Sequence, residues 1–203
     1  MGKKALALTT IAPTAIVHPT AHIGKGTKIW AYVQIAEHAS IGNNCIIGNG
    51  VYIDRYVKIG KCVWIQNKAL LYQGVVVKDN VFIGPGACFT NDPIPRAGVR
   101  RNMSGKRWVV ECGASIGANA TILPDTTIGS YAMIAAGAVV TKNVPPYALA
   151  RGNPARVVDL VCSCGQALGF LELKIDLKNS RTLKCRSCTK IVPIKKEMTS
   201  VIL

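Results

Sequence analysis

The sequence is poor in three features, and each shortage excludes a class of function. Aromatic residues make up 6% of the 203 residues, so the repeated aromatic platforms that stack on single-stranded nucleic acid are not expected. Only three histidines occur, His18, His22 and His38, and all lie in the first fifth of the chain. No apolar run approaches the ~18 residues that a membrane-spanning helix needs. We therefore expect neither a nucleic acid nor a membrane as the partner.

Acidic residues are also scarce, with 10 against 25 basic residues and a net charge of +15. A surface of this charge attracts polyanions. Because nucleic acid is not expected, small molecules with clustered phosphates, such as coenzyme A and nucleotide sugars, are the better candidates.

What the sequence has instead is a strict period of six. A branched or large apolar residue stands at every sixth position from Ile11 to Phe89 and, after an interruption, from Val110 to Val140. A second lane of mostly smaller residues, such as Ala39, follows four positions after each of them. A helix would need apolar spacings of three and four, and an ordinary strand would alternate by two. The period is typical of a hexapeptide repeat, which predicts an all-β chain folded as a parallel β-helix.

Three hexads make one triangular coil, so the twenty hexads of this chain predict six to seven coils. The large residues should point inward and stack on their equivalents one coil away. Glycine often follows the large residue, as at Gly24, Gly42 and Gly84, and we expect these glycines to supply turn conformations that other residues avoid.

The register breaks between Phe89 and Val110, which predicts an inserted loop at about residues 90–109. Two prolines and two glycines argue against a regular strand there, and five of its residues are basic. A loop that leaves a smooth prism is where binding residues can project. Flat strand faces pack against copies of themselves in closed cyclic symmetry, so we expect the loop to reach a neighbouring copy and to help form a phosphate-lined cleft.

The eight cysteines fall into two groups, four scattered through the repeat and four near the end of the chain. The second group, Cys162, Cys164, Cys185 and Cys188, forms two close pairs separated by the stretch 165–184. This spacing predicts a structural zinc site with four thiolate ligands and no open position, and a pair of disulfides is the alternative. The pattern favours a reducing compartment. We therefore expect a cytoplasmic protein with a β-helix domain at 1–160 and a zinc-ribbon-like tail at 161–203.

Several blocks of the repeat resemble those of hexapeptide-repeat acyltransferases with a left-handed β-helix, and most closely those of nucleotide-sugar N-acetyltransferases. The sharpest blocks are Gln66-Asn67, which follow Trp64-Ile65, and Thr90-Asn91. The block Gly-Asn-Pro-Ala-Arg at 152–156 is shared by many acyl-CoA transferases. The resemblance covers roughly residues 11 to 160. It departs from the family in the stretch after Trp30, where many members carry a histidine and this chain does not.

The resemblance implies an acetyl-CoA-dependent enzyme that acetylates the amino group, typically the 3-amino group, of a UDP- or dTDP-linked hexose. It also implies a homotrimer, with acetyl-CoA in the groove between two coils and the nucleotide-linked amino sugar near the loop. Carried over by position, Asn91 would hydrogen-bond the reacting amine or the thioester carbonyl. The residues implied for the sugar site are Gln66, Asn67, Tyr72 and Arg96, and those implied for the CoA end are Lys142, Asn153 and Arg156.

Acetyl transfer to an amine needs a neutral nucleophile, a polarised thioester carbonyl and a destination for the proton. The three histidines lie far from the loop in sequence, so a histidine base is not expected. Either Asp92, which is adjacent to Asn91, accepts the proton, or the departing thiolate takes it. We favour the second route, because Asn91 can orient the groups without titrating.

Three other classes of protein use a similar prism. A noncatalytic scaffold, or an O-acetyltransferase of another small acceptor, is the main alternative, and the scaffold should not bind acyl-CoA. A γ-type carbonic anhydrase holds a metal between subunits with three histidines. The spacing of His18, His22 and His38 does not reproduce the placement in that family.

Overall fold

The computed structural model describes residues 8–99, 105, 107–169 and 182–194. The described residues form strands joined by short turns, and none of them is helical. Within these ranges no helix exists that could cross a bilayer.

The strands are short, and most contain two residues. In chain order they are β1 (Thr10–Ile11), β2 (Ile16–Val17), β3 (His22–Ile23), β4 (Lys28–Ile29), β5 (Gln34–Ile35), β6 (Ser40–Ile41), β7 (Ile46–Ile47), β8 (Tyr52–Ile53), β9 (Lys58–Ile59), β10 (Trp64–Ile65), β11 (Leu70–Leu71), β12 (Val75–Val77), β13 (Phe82–Ile83), β14 (Cys88–Phe89), β15 (Trp108–Val110), β16 (Ser115–Ile116), β17 (Thr121–Ile122), β18 (Thr127–Ile128), β19 (Met133–Ile134), β20 (Val139–Val140), β21 (Ala148–Arg151), β22 (Arg156–Leu160), β23 (Thr182–Lys184) and β24 (Ile191–Pro193).

Every third strand pairs in parallel, and this produces three faces. Face A contains β1, β4, β7, β10, β13, β16, β19 and β21, with β22 antiparallel at its end. Face B contains β2, β5, β8, β11, β14, β17 and β20, and face C contains β3, β6, β9, β12, β15 and β18. Thr10 pairs with Lys28, the equivalent position three hexads later, which is the length of one coil. The predicted parallel β-helix is therefore confirmed.

The second residue of each two-residue strand points inward, and the first points outward. Ile47, Ile53, Ile65 and their equivalents form a buried column, and the second lane of smaller residues, such as Ala39, is buried beside it. Full burial of an Ile side chain contributes about 1.5–3 kcal/mol, so a column of this length supplies much of the stability. The six-residue period therefore correctly marks the core.

The glycines that follow the inward residues have a different role from the one predicted. Gly24, Gly42 and Gly84 are absent from the residues with positive φ, so the expectation about turn conformations was wrong for them. A Cβ added to Gly42 would lie 2.5 Å from the carbonyl oxygen of Gly60 one coil away. These glycines are required because adjacent coils approach too closely for a side chain.

The left-handed conformation occurs two positions after these glycines, three residues after most of the inward residues. Tyr32, His38, Tyr56 and Lys68 occupy such positions with φ near +59°, as do several asparagines and other glycines. Some of these side chains stack from coil to coil, as in the His38–Tyr56 ring pair at 5.2 Å.

The insertion between β14 and β15 is shorter than predicted. Phe82 pairs with Ser115, so the coil that contains the insertion holds five and a half hexads instead of three. The predicted loop of 90–109 was too long, because Trp108 already belongs to β15 and pairs with Val75. The Trp108 side chain is 1% exposed and takes a core position that Val75 occupies one coil away. Its Nε1 atom has no hydrogen-bond partner among the described residues.

Face A has eight parallel strands, face B has seven and face C has six, so the coil completes seven turns, the upper end of the prediction, and β21 begins an eighth. The last strand of face A was missed because the coil that leads to it is shorter. Met133 pairs with Leu149 and not with Arg151, the position three hexads later. The six-residue register therefore ends at Val140 although the coil continues.

The tail is built onto the last coil. β22 folds back along β21, and the amide of Val161 donates to the carbonyl of Tyr147 at 2.7 Å. Leu160 is buried against Tyr147, Leu168 and Leu183. β23 and β24 form a separate antiparallel pair. From the sequence we expect tail strands at 167–175 and 190–194, and the first of these extends outside the described residues.

Candidate active site

Three edges join the faces of the prism. The predicted site residues of the coil lie on two of them, except Arg156, which lies in β22 directly after the last residue of edge AB. Edge AB, between faces A and B, comprises residues 12–15, 30–33, 48–51, 66–69, 84–87, 117–120, 135–138 and 152–155. Edge BC comprises 18–21, 36–39, 54–57, 72–74, 90–99, 105, 107, 123–126 and 141–143. Edge CA comprises 24–27, 42–45, 60–63, 78–81, 111–114, 129–132 and 145–147.

Edge BC holds the predicted catalytic residues at the start of the loop. Thr90 fastens this start to the coil, because its Oγ1 donates to the carbonyl of Ile122 at 3.3 Å. The next residue, Asn91, is exposed. Asp92 accepts a hydrogen bond from the amide of Ile94 at 2.8 Å, which caps a local turn. Asn91 is therefore presented to solvent from a firmly attached point.

Arg96 lies farther along the loop and is exposed. Its Nη1 donates to the carbonyl of Pro95 at 3.2 Å, and its own carbonyl accepts from the amide of Val99. Of the five basic residues predicted for the loop, Arg96 and Arg107 fall within the described residues, and the other three lie outside them.

A polar network occupies the coil next to the loop on edge BC. Tyr72 is half-buried and packs against Tyr52, with ring centroids 5.6 Å apart. The Tyr52 hydroxyl donates to Asp54 at 3.2 Å, and Asp54 also accepts from the amide of Gln73. Burial, followed by the negative charge of Asp54, raises the pKa of Tyr52. The result is an aromatic pair beside an oriented carboxylate.

Sequence reasoning named Tyr72 but missed Tyr52 and Asp54. The three-hexad period of the coil could have identified Asp54, because it occupies the position one coil before Tyr72. Arg55 is likewise aligned with Gln73, and its Nε donates to the Gln73 side chain at 2.9 Å. The coil period therefore identifies which side chains stack on one edge.

Edge AB carries Gln66 and Asn67. The Oδ1 atom of Asn67 accepts from the amide of Asn49 at 2.9 Å, so this side chain links two coils. Gln66 is half-buried and lines a hollow of about 190 Å³ together with Trp30, Ile46, Gly48, Asn49, Ile65 and Asn67. The hollow exists because Gly48 leaves the coil between Trp30 and Gln66 without a side chain.

Farther along edge AB, the corner positions carry mostly small residues as far as the last turn. They are Gly84, Pro85, Gly86, Gly117, Ala118, Ala135, Ala136 and Gly137, with Asn119 among them. The edge ends at Gly152 and Asn153, where the carbonyl of Gly152 accepts from the amide of Val139 at 3.0 Å. Arg156 follows and is exposed, and its Nη1 donates to the carbonyl of Ala155. Edge AB therefore carries few bulky side chains between the hollow and Arg156.

The described structure of one chain does not bring the predicted site residues together. Face B separates edge AB, with Gln66, Asn67 and the turn around Asn153, from edge BC. Edge BC carries Tyr72, Asn91, Asp92, Arg96 and Lys142.

The four tail cysteines do come together. Their Sγ atoms all lie within 4.8 Å of one another. The Cys162–Cys188 and Cys164–Cys185 Sγ separations are 3.5 and 3.7 Å. Tetrahedral zinc with Zn–S bonds of about 2.3 Å requires Sγ separations of about 3.8 Å, so the cluster fits that ion. Hydrogen bonding from the backbone of Cys188 lowers the pKa of Cys185 to about 7, which favours a thiolate ligand.

The cysteine cluster is packed against the coil. Cys162 and Cys185 are buried beside Val192, with Tyr147 and Leu168 at the margin. Tyr147 in turn stacks on Tyr131 of edge CA, with ring centroids 5.2 Å apart. An ion at this position would brace the tail against the last coil.

Two stretches of the chain, residues 20–55 and 109–142, match the family described as bacterial transferase hexapeptide (six repeats). These stretches are hexapeptide repeats in sequence and in structure. Together they include parts of all three faces and flank the inserted loop.

Curated relatives match parts of the hexapeptide coil. A 66-residue stretch is 53% identical to dTDP-3-amino-3,6-dideoxy-alpha-D-galactopyranose 3-N-acetyltransferase of Aneurinibacillus thermoaerophilus and covers 32% of this chain and 34% of that protein. A 62-residue stretch is 48% identical to 2,3,4,5-tetrahydropyridine-2,6-dicarboxylate N-acetyltransferase of Brevibacillus brevis, covering 30% of this chain and 26% of that one. The chain thus spans about a third or less of the length of these relatives.

Solved structures show the same fold at lower identity. A variant of perosamine N-acetyltransferase from Caulobacter crescentus, in complex with CoA and GDP-perosamine, is 24% identical with a TM-score of 0.50. That match covers 75% of this chain and 57% of the other. The acetyltransferase domain of PglB from Neisseria gonorrhoeae is 22% identical with a TM-score of 0.51, covering 75% and 58%.

Proposed function

We propose that this protein is an acetyl-CoA-dependent N-acetyltransferase that acetylates the amino group of a nucleotide-linked amino sugar, a UDP- or dTDP-linked 3-amino hexose. The observation that carries the proposal is the 53% identity over 66 residues to an enzyme named for this reaction on a dTDP-linked sugar. The exposed Asn91, held at the start of a loop beside an aromatic pair and a carboxylate, supports it.

The active site of this enzyme lies between adjacent copies in a homotrimer. The separation of the predicted residues onto edges AB and BC supports this arrangement. Edge AB of one copy faces edge BC of the next, so that Gln66 and Asn67 of one chain meet Tyr72 and Asn91 of its neighbour.

Acetyl-CoA lies along edge AB in this proposal, with its phosphates toward Asn153 and Arg156. Two properties of the edge support that path. Its small corner residues leave room for a narrow chain, and none of its described residues is acidic. Lys142 of the neighbouring copy, on edge BC, adds a second cation for the phosphates.

The chemical step is direct. The neutral amine attacks the thioester carbonyl carbon, a C–N bond forms, the C–S bond breaks, and the departing CoA thiolate takes the proton that the nitrogen loses. Asn91 orients the amine or the carbonyl oxygen, and orientation of this kind contributes several kcal/mol. Asp92 already accepts the amide of Ile94, and this bond supports a turn-capping role for its carboxylate.

A structural zinc ion at Cys162, Cys164, Cys185 and Cys188 completes the proposal, supported by the fit of the four Sγ atoms. When bound, it supplies four thiolate bonds that hold the tail and leaves no position for substrate. We expect one zinc ion per chain by elemental analysis and its loss in Cys185→Ser. Zinc absent from protein purified without chelators would contradict the site.

The test is thiol release from acetyl-CoA with a panel of UDP-, dTDP- and GDP-linked 3-amino and 4-amino hexoses, each with an acceptor-free blank. Release with one UDP- or dTDP-linked 3-amino sugar and an amide product of the expected mass would support the proposal. No release with any acceptor, together with no binding of acetyl-CoA, would favour a noncatalytic scaffold. Release only with a hydroxyl acceptor would favour O-acetylation.

A further inference from the structure

The hollow on edge AB has the shape of a slot between two coils. The first corner position of successive coils carries Trp30, Gly48 and Gln66. Adjacent coils are about 4.8 Å apart, so Trp30 and Gln66 are separated by roughly 9–10 Å. Gly48 cannot be replaced without conflict, because an added Cβ would lie 2.6 Å from Oδ1 of Asn67. The gap is thus maintained by the packing of the coil.

The slot is suited to a flat ring. The Trp30 side chain is 51% exposed, so its indole is available at one side of the gap. Aromatic rings pack with centroids about 4.5–7 Å apart, which places one ring on Trp30 at the level of Gly48.

The polar groups at the slot are amides. Gln66 lies at the far side, and Asn49 follows Gly48 and is exposed. A side-chain amide offers one acceptor and two donors, a pattern complementary to the N3–H and carbonyl oxygens of a pyrimidine dione. Asn67 is less available for this task, because its Oδ1 already accepts the amide of Asn49.

A cation stands beside the slot on the same edge. Lys68 is exposed, and its Cγ lies 3.7 Å from the position that a Cβ on Gly50 would take. Its stem therefore extends over the coil that contains Gly48. A base held on Trp30 would leave its phosphates within reach of this ammonium group.

We propose that this slot between Trp30 and Gln66 binds the uracil or thymine ring of the acceptor nucleotide, with Lys68 beside the diphosphate. The inference rests on the proposed function and deepens it, since it assigns the base, and not the sugar, to this end of edge AB. The donor's adenine is the other available aromatic ring. It would lie near Asn153, which is five coils away along the edge, or roughly 24 Å.

The test measures nucleotide binding without any amino sugar. The full-length protein is titrated calorimetrically with UDP and dTDP, and with ADP and 3′,5′-ADP as probes of the donor site. In Trp30→Ala we expect UDP and dTDP to bind at least tenfold more weakly, with the adenine nucleotides unaffected. Trp30→Phe should recover most of the affinity, because it keeps an aromatic surface. Gln66→Ala should reduce the preference for UDP and dTDP over GDP.

The matched control is Tyr32→Asn, which removes an exposed aromatic side chain two residues away and suits the left-handed backbone there. It should bind UDP and dTDP like the unaltered protein. Equal weakening in Trp30→Ala and Tyr32→Asn, or weakening confined to the adenine nucleotides, would overturn the slot. Binding is measured without acetyl transfer, so the two proposals can fail separately. A protein that transfers no acetyl group but has a Trp30-dependent pyrimidine site would contradict the proposed reaction and not the slot. An active enzyme whose affinities for UDP and dTDP do not depend on Trp30 would contradict the slot and not the proposed reaction.

Discussion

Edges AB and BC flank the same face of the coil, but they differ in charge and in bulk. None of the described residues of edge AB is acidic, and its later corners carry mostly glycine and alanine. Edge BC carries Glu37, Asp54, Asp92 and Asp125, together with the inserted loop. In the proposed reaction the phosphates of both substrates would meet edge AB, which offers them no carboxylate, and the amine would meet edge BC. The carboxylates of edge BC are balanced among its described residues by Arg55, Arg96, Arg107 and Lys142, so the amine meets an edge of mixed charge.

Edge CA shows what an edge is like without these features. It has acidic residues, such as Asp79, which pairs with Lys61 at 3.7 Å and accepts the amide of the same residue. No predicted residue of the active site lies on it. The side-chain bonds of edge CA join successive coils. Edge CA therefore shows the properties of an edge to which we assign no substrate.

The largest effect should come from removing the Trp108 side chain, which anchors the loop of edge BC to the coil. Trp108 is buried at the point where the loop of edge BC rejoins the coil. Trp108→Ala should lower the free energy of unfolding by about 3–5 kcal/mol, because a large cavity replaces the indole. Urea unfolding measures the loss, and Trp64→Ala, at a residue 51% exposed on face A, is the control. Equal losses in the two variants would contradict the anchoring role.

Asn91→Ala tests edge BC at its most exposed amide. We expect the rate of thiol release to fall at least tenfold, about 1.4 kcal/mol of barrier, while the melting temperature stays unchanged. Gln34→Ala, which removes an exposed amide on face B at a distant coil, is the control and should retain the full rate. A rate in Asn91→Ala equal to that of Gln34→Ala would remove Asn91 from the site.

Gly137→Asn tests the narrow path along edge AB. A Cβ on Gly137 would meet no atom within 4 Å, and its left-handed φ of 69° is one that asparagine tolerates. The added side chain should therefore raise KM for acetyl-CoA about tenfold and leave kcat within about twofold. Cys62→Asn, at the equivalent corner of edge CA, should change neither constant. An unaltered KM in Gly137→Asn would place the donor elsewhere.

Asp92→Asn should have the smallest effect. Its amide oxygen can still accept the Ile94 amide, so the turn is preserved and the rate should fall by no more than about threefold. The pH dependence of kcat should keep its shape. A hundredfold loss with an altered pH profile would instead make Asp92 the general base and overturn the route in which the thiolate takes the proton.

The six-residue period predicted the core and the parallel pairing because every hexad repeats the same inward geometry. It failed where that geometry changes, at the shortened last coil before Leu149 and at Trp108, which occupies a core position that Val75 takes one coil away. The role of Gly42 was misjudged because its constraint comes from Gly60 on the next coil, and not from its own backbone.

The site was only partly predictable for a related reason. Counting in steps of three hexads would have placed Asp54 beside Tyr72 and would have assigned Gln66 and Asn91 to different edges. Counting along one sequence does not reveal how a second chain is placed against the first, because that placement depends on the complementarity of whole faces. The cysteine cluster was predictable because two short pairs of thiols need no such information.

The central claim is that one site combines edge AB of one chain with edge BC of another. Mixed trimers assembled from equal amounts of Asn91→Ala and Gly137→Asn chains test it directly, with acetyl-CoA held well below KM so that each variant alone retains about a tenth of the rate. If the site is shared, a quarter of the sites combine two intact edges, and the mixture should recover about a third of the original rate. A mixture that stays at about a tenth would mean that each site is built from a single chain.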